Sequence, residues 1–359
     1  MVPGASIRHL ALGLLAALLL AGCEARQPAF PDRELPPRQS VTLLDQAGHR
    51  VQLARPAERI GTPGVSMASL VLALGGPERL VAVAAEVNHN PWLAHIMPEL
   101  ASRPAPFIRP AGVHLESLLA LQPDLVTLWL GNQSQGEKLE QLGIPVMYLG
   151  YRSPEEMRQA VLLLGQALGE RGQTRAEAFV GYYEASLTRV RAGLAGLSDA
   201  ARPRVYYASI SPLHTEGRDS MIDAWIRTAG GINVAAATLR GDGQVQLENL
   251  LTWDPDLIIT LGLAQQQAIL ADPRWQQLRA VRQGRVIVNP RGINAWCTRA
   301  AETALQVLWA ARLFHPERFA DLDMAMETRR FYRQFYAYEL SDDEVARVLQ
   351  GRNPTDPQP

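Results

Sequence analysis

Two glutamates stand at matching places in a phrase that the chain spells twice. Val113-His114-Leu115-Glu116-Ser117-Leu118-Leu119-Ala120-Leu121-Gln122-Pro123-Asp124-Leu125 returns as Val245-Gln246-Leu247-Glu248-Asn249-Leu250-Leu251-Thr252-Trp253-Asp254-Pro255-Asp256-Leu257. Each glutamate opens a helical stretch, where its charge suits the helix dipole and the free amides of the first turn. A second set of chemically capable side chains lies in segments that read as loops: His89, Trp92, Arg152, His214, Arg218, Arg291, Trp296 and Arg299. Arginine holds carboxylate, catecholate or phosphate oxygens through paired hydrogen bonds, and tryptophan offers a flat apolar surface to a macrocycle or aromatic chelator. His89 and His214 are the candidates for direct metal ligation. No His-x-x-His or Cys-x-x-Cys spacing accompanies them, which argues against a preformed zinc or copper cage. Cys297 is expected to be a small buried residue, a soft ligand only if its thiol is exposed. Tyr206 and Tyr207 fall on an expected core strand, and Tyr332 and Tyr336 on a C-terminal helix, so these phenols are discounted as ligands.

The elements that must position these groups alternate. In the first half, apolar strand patterns at residues 59–61, 80–84, 125–130 and 146–149 are separated by helical patterns at 66–74, 115–121 and 137–142. The second half repeats the scheme, with strands at 204–210, 257–261 and 286–288 and helices near 221–229, 248–252 and 274–281. Alternating strands and helices imply a parallel sheet covered by helices. A repeat at so long an interval marks two similar lobes rather than a solenoid. Gly75-Gly76-Pro77 and Gly230-Gly231 follow corresponding helices, a second echo of the duplication.

Between the halves, residues 153–197 have helical propensity broken at Gly165, Gly169 and Gly172, and the region from about Thr174 to Leu197 is expected to be a long helix. The expected fold class is therefore α/β: two similar lobes, each a mainly parallel sheet flanked by helices, joined by a long connecting helix. The expected limits are 41–172 for the first lobe, 173–198 for the connecting helix, 199–350 for the second lobe with its terminal helices, and 351–359 for a frayed tail. Phe331, Tyr332, Phe335 and Tyr336 make a stripe expected to pack against the second lobe. Ligands of open parallel sheets bind beyond the carboxyl ends of the strands, so the eight loop residues above are expected to face a cleft between the lobes.

The amino terminus sets the compartment. Residues 1–22 have the layout of an export signal, with Arg8 and His9 before an apolar run from Leu10 to Ala21. Leu20-Ala21-Gly22-Cys23 resembles the lipobox of bacterial lipoproteins, which implies cleavage before Cys23, lipidation of its thiol and anchoring to a membrane. Residues 23–40 then form a flexible tether carrying Pro28, Pro31, Pro36 and Pro37. With Cys23 modified, Cys297 has no partner for a disulfide, and stability falls to the core. Lys and Arg number 35 against 36 Asp and Glu, a balance that argues against a nucleic-acid partner.

Several segments in their order resemble the substrate-binding proteins of bacterial importers for ferric siderophores, haem and cobalamin. They are the Glu-to-Pro-Asp-Leu phrases, Gly143-Ile144-Pro145-Val146, Ala229-Gly230-Gly231-Ile232-Asn233-Val234-Ala235, and Asp272-Pro273-Arg274-Trp275 leading to Gly284-Arg285-Val286. The resemblance covers roughly Val41 to Gln350. It implies a lipid-anchored, extracytoplasmic solute-binding component of an ABC importer, with no intrinsic cofactor. Its cargo would be a metal complex, a ferric siderophore first, with cobalamin or haem as other members of the class. The partners implied are a permease dimer with its ATPase subunits, and Glu116 and Glu248 match the acids that dock into permease arginines. A molybdate or tungstate binder of the same family is the alternative.

An enzyme is the other class to weigh. Gly64-Val65-Ser66-Met67-Ala68 stands between strand and helix but lacks the second glycine of a hydrolase nucleophile turn, so a lipid-anchored serine hydrolase is a minor alternative. No Walker loop or dinucleotide fingerprint is present, and ATP hydrolysis belongs to a partner.

Overall fold

Each half of the chain builds a four-stranded parallel sheet, and both sheets use one strand order. The computed structural model describes residues 40–108 and 112–356; the expected export signal, Cys23 and the expected tether lie outside the described residues. In the first lobe the order is Leu80–Ala82, Ile60–Gly61, Leu125–Trp129, Val146–Leu149. In the second it is Ile232–Asn233, Arg204–Ala208, Leu257–Thr260, Val286–Val288. In chain order within each lobe both read second, first, third, fourth. The strand Ile232–Asn233 was not expected, since two residues are too few for a period-2 pattern.

The repeated phrase does the same structural work in both copies. Asp124 accepts the Arg59 amide at 2.8 Å, and Asp256 accepts the Arg204 amide at 2.8 Å, so each aspartate anchors the first strand of its lobe. The guanidinium groups return the favour at the helix end: Arg59 donates to the Gln122 and Leu121 carbonyls, and Arg204 to that of Trp253. Gln122 and Asp254, equivalent in the repeat, both take left-handed backbone at φ 46° and 37°, and the prolines that follow cannot continue a helix. Leu118 and Leu250 are the buried anchors of the two helices, Leu115–Ala120 and Leu247–Trp253.

Period-2 alternation sends each sheet's two faces to different cores. Val126, Leu128, Val146 and Tyr148 join a core private to the first lobe, and Tyr206, Ala208 and Ile258 one private to the second. The other faces, with Leu125, Met147, Leu149, Val205, Tyr207, Leu257 and Ile259, belong to a single core that runs through both lobes. That shared core is filled by the connecting helix and the terminal helices.

The connecting helix runs Glu170–Gly193, 24 residues, starting and ending earlier than the pattern suggests. Gly169, at φ 81°, closes the preceding helix Pro154–Ala167 and opens this one. Gly165 and Gly172 are not breaks: a Cβ on Gly165 would run into Ala176, and one on Gly172 into Leu168, so these glycines let the two helices touch.

The aromatic stripe packs mainly on the connecting helix rather than on the second lobe alone. Phe331 and Phe335 lie 6.1 and 5.2 Å from Phe179, ring centre to ring centre, and 5.6 and 5.8 Å from Tyr182. The terminal helix Thr303–Phe314 packs on the connecting helix, whereas the terminal helices Met324–Tyr336 and Asp342–Leu349 also reach the first lobe. Arg175 of the connecting helix donates to Ala73 O at 2.9 Å and to Phe335 O at 2.9 Å, and His95 meets Glu344 at 2.6 Å. The expected frayed tail is docked as far as it is described: Trp92 donates to Arg352 O at 3.0 Å, and Asp356 accepts the Asn353 amide at 2.7 Å. Among the described residues no helix is long and apolar enough to cross a membrane.

Candidate functional site

The strand order places a switch point between the first and third strands of each sheet, and ligands of such sheets bind at the carboxyl ends there. Both switch points open on one cleft. Pro63 to Ser66 follow the strand Ile60–Gly61, and Trp129, Leu130 and Asn132 end or follow Leu125–Trp129. Ser209 and Ile210 follow Arg204–Ala208, and Leu261 follows Leu257–Thr260. The fourth strands contribute as well, through Gly150, Tyr151 and Arg152 from one lobe and Asn294, Thr298 and Arg299 from the other. The cleft has two parts of about 1020 and 580 Å³, joined through Ser66, Trp129, Leu261 and Thr298. Continued past the aspartates, the repeat aligns Trp129 with Leu261, so the lobes present corresponding apolar side chains to the same space.

The cleft floor is stitched across the lobes. Asn294 Nδ2 donates to Ser66 Oγ at 2.8 Å, Asn90 Nδ2 to Ile293 O at 2.8 Å, and the Ala301 amide to Ser69 Oγ at 3.0 Å. Arg299 Nε donates to the Tyr151 carbonyl at 3.2 Å, and the Tyr151 ring meets Trp129 edge-on at 5.6 Å.

Below Asn294 lies Glu302, fully buried. Its carboxylate accepts the Asn294 amide at 3.2 Å and the hydroxyls of Tyr332 and Tyr336 at 3.3 and 3.1 Å. Burial pushes its pKa up to about 7, against these donors.

Among the described residues, the charged groups lining the larger part are Arg152, Glu156, Glu216 and Arg299. Burial holds Glu216 above the ordinary carboxylate range, with Arg299 acting against it. Around this polar interior stand exposed apolar side chains: Ile210 at 68 %, Ile108 at 46 % and Leu130 at 38 %.

Of the eight loop residues singled out in the sequence, Arg152 and Arg299 line this cleft, one from each lobe. Trp92 and Trp296 do not offer a ligand surface: both are buried, at 1 % and 0 % exposure, Trp92 behind its bond to Arg352 O. His89 ends the short helix Ala85–Asn88 on the surface, and Arg218 is exposed with its guanidinium toward Ala236 O. His214 lies on a hairpin strand, 3.6 Å from Asp242, and the half-buried Arg291 hydrogen-bonds through its amide to Val348 O. None of these four lines the cleft described above. Cys297 is buried beside the Tyr207 hydroxyl at 3.3 Å, and burial pushes its thiol up to about 12. Tyr207, discounted from its place on a strand, does line the cleft, although almost wholly buried. Among the described residues no group of three or more His, Cys, Asp or Glu is placed to hold a metal ion.

Trp129 and Glu216 are among the cleft residues not singled out in the sequence. The alignment of Trp129 with Leu261 in the extended repeat was a usable signal for the first. Glu216 lies in the segment 211–220 expected to face the cleft, between His214 and Arg218, but among loop acids it is set apart only by its burial.

Glu116 and Glu248 are both exposed, in the first turns of equivalent helices. Gly112, which lines the cleft, leads directly into the first of these helices. The strand Asp242–Gln244, paired with the strand that bears Glu216, leads into the second. The acids thus stand beside the cleft, one on each lobe.

The family model described as "Periplasmic binding protein" matches residues 65–291. The chain is 29 % identical over 261 residues to the molybdate-binding protein MolA of Haemophilus influenzae, covering 66 % of this chain and 73 % of that one. It is 27 % identical over 262 residues to the vitamin B12-binding protein of Vibrio parahaemolyticus, covering 70 % and 88 %. A crystal structure of a periplasmic solute binding protein from Veillonella parvula superposes with a TM-score of 0.76 at 28 % identity, covering 87 % of this chain and 97 % of that one.

Proposed function

Because the chain belongs to the periplasmic binding protein family, and is thereby the solute-binding component of an ABC importer rather than an enzyme, we propose that its cleft captures a metal complex with an organic body. A ferric siderophore, cobalamin or haem is the class of cargo meant. The observation that carries this reading is the cleft wall, where Ile108, Leu130, Ile210, Trp129 and Leu261 surround a polar interior bearing Arg152 and Arg299. A bare oxyanion gains nothing from apolar walls, whereas an organic chelate buries carbon against them and presents its oxygens to the guanidinium groups. A cleft part of about 1020 Å³ is also in the range of sites that enclose ligands of several hundred daltons.

One observation favours a second reading, the molybdate or tungstate oxyanion: the likeness to the molybdate-binding protein of Haemophilus influenzae. Arginines suit either cargo. Lipidation of Cys23 and docking of Glu116 and Glu248 to permease arginines are further parts of the proposal, the first supported by the lipobox-like Leu20-Ala21-Gly22-Cys23 and the second by the equivalent, exposed positions of the two acids.

Isothermal titration against a ferric catecholate chelate, haem, cobalamin and molybdate tests the cargo. The expected result is saturable binding of at least one organic metal complex, weakened about tenfold or more in Arg299→Ala, as for the loss of a charge-assisted hydrogen bond. Saturation by molybdate alone would overturn the reading.

A further inference from the structure

Glu216 occupies an unfavourable place that the proposed capture of a metal complex does not by itself explain. It sits on the strand His214–Glu216, directly opposite Asp242 in an antiparallel pair, and like charges at such positions repel. Its backbone is pinned by Asn233, which donates to Glu216 O at 2.9 Å. Asp242 is engaged elsewhere, with His214 at 3.6 Å. Among the described residues lining the cleft, the cation that offsets Glu216 is Arg299; from outside the cleft, His214 and the Ser220 hydroxyl act in the same direction. Among the described residues no ion pair joins the two, and Arg299 instead spends its Nε on the Tyr151 carbonyl. A carboxylate kept half-buried against a like charge, and facing a cleft, is a candidate for ligand recognition.

We infer that Glu216 and Arg299 form a paired subsite that selects a solute carrying both acceptor oxygens and a hydrogen-bond donor or cationic group, and that Glu216 turns away bare oxyanions. The inference rests on the reading of the cargo as an organic metal complex. Arg299 takes an acceptor oxygen of the ligand, and Glu216 takes an N–H, O–H or ammonium group lying next to it. A tetrahedral dianion meets the guanidinium too, but its oxygens then face the Glu216 carboxylate with no proton between them, and like-charge contacts of this kind are strongly disfavoured.

The probe is sodium molybdate, titrated calorimetrically into the wild-type protein, Glu216→Gln and Glu216→Ala, with thermal unfolding confirming that each variant is folded. The expected result is molybdate affinity about tenfold or more higher in both variants than in the wild type, the removal of one repulsive contact. Any organic complex that the wild type binds is expected to bind more weakly to Glu216→Gln. Unchanged or weaker molybdate binding in whichever variant folds overturns the inference. Failure of the wild type to bind any organic complex would instead count against the cargo reading, and the molybdate arm reports on Glu216 regardless of that outcome.

Discussion

Replacing Glu116 and Glu248 together by alanine is expected to abolish delivery to the permease while leaving ligand affinity within about twofold. Both acids are exposed in first turns, and the groups that hold their helices in place are others: Arg59 with Asp124, and Arg204 with Asp256. Removing an exposed first-turn carboxylate lowers stability by about 1 kcal/mol or less. Truncating one partner of an interfacial charge pair, by contrast, weakens a complex by about 2 kcal/mol or more. Two such losses, one per lobe, leave a transporter that the loaded protein no longer engages. Uptake by permease-containing proteoliposomes, set beside calorimetric ligand binding, checks this. Equal loss of uptake and of ligand affinity would mean that the acids support the fold instead.

The second large effect concerns Glu302. Its folded pKa, about 7, lies above the value of 4.5 expected for an unperturbed glutamate, so the folded state favours the protonated acid. The stability linked to this proton is fully present below pH 4.5 and is lost as pH rises through about 7. The shift corresponds to about 3 kcal/mol. Glu302→Gln keeps the shape and removes the titration. It is expected to match the wild type in urea unfolding at pH 4.5, to exceed it by up to about 3 kcal/mol at pH 8, and to flatten the slope between them. A variant that is less stable than the wild type at both pH values would show that the ionised carboxylate is what Asn294, Tyr332 and Tyr336 require. Because Asn294 also reaches Ser66 across the cleft floor, the Glu302 titration is coupled to a bond that joins the two lobes there.

How far the molecule could be read from its sequence depended on the range of the interactions involved. The duplication was legible because each copy solves one local problem. The aspartate must catch the first strand's amide, the leucine at position 118 or 250 must anchor the helix, and the residue before proline must turn left-handed to end it. The cleft was placed correctly in outline because strand order and the switch-point rule act on elements rather than on side chains. The individual contacts were less accessible. Trp92 reads as a loop aromatic until Arg352, 260 residues later, takes its indole N–H, and Trp296 vanishes into a core assembled from both lobes. The bounds of the connecting helix went astray for a similar reason. Gly165 and Gly172 look like breaks along the chain, and only the neighbouring helix shows that they are contact points. The lobes share a core and their floor is bonded across, so the cleft is held open by packing that no local pattern encodes.

Native mass spectrometry of the protein isolated from its own cell envelope tests the central claim most directly. The account predicts an adduct whose mass and isotope pattern identify a metal bound to an organic ligand, at lower occupancy when Arg299 is replaced by alanine. An adduct of molybdate or tungstate mass, or an organic complex retained in full by the Arg299→Ala protein, would contradict it.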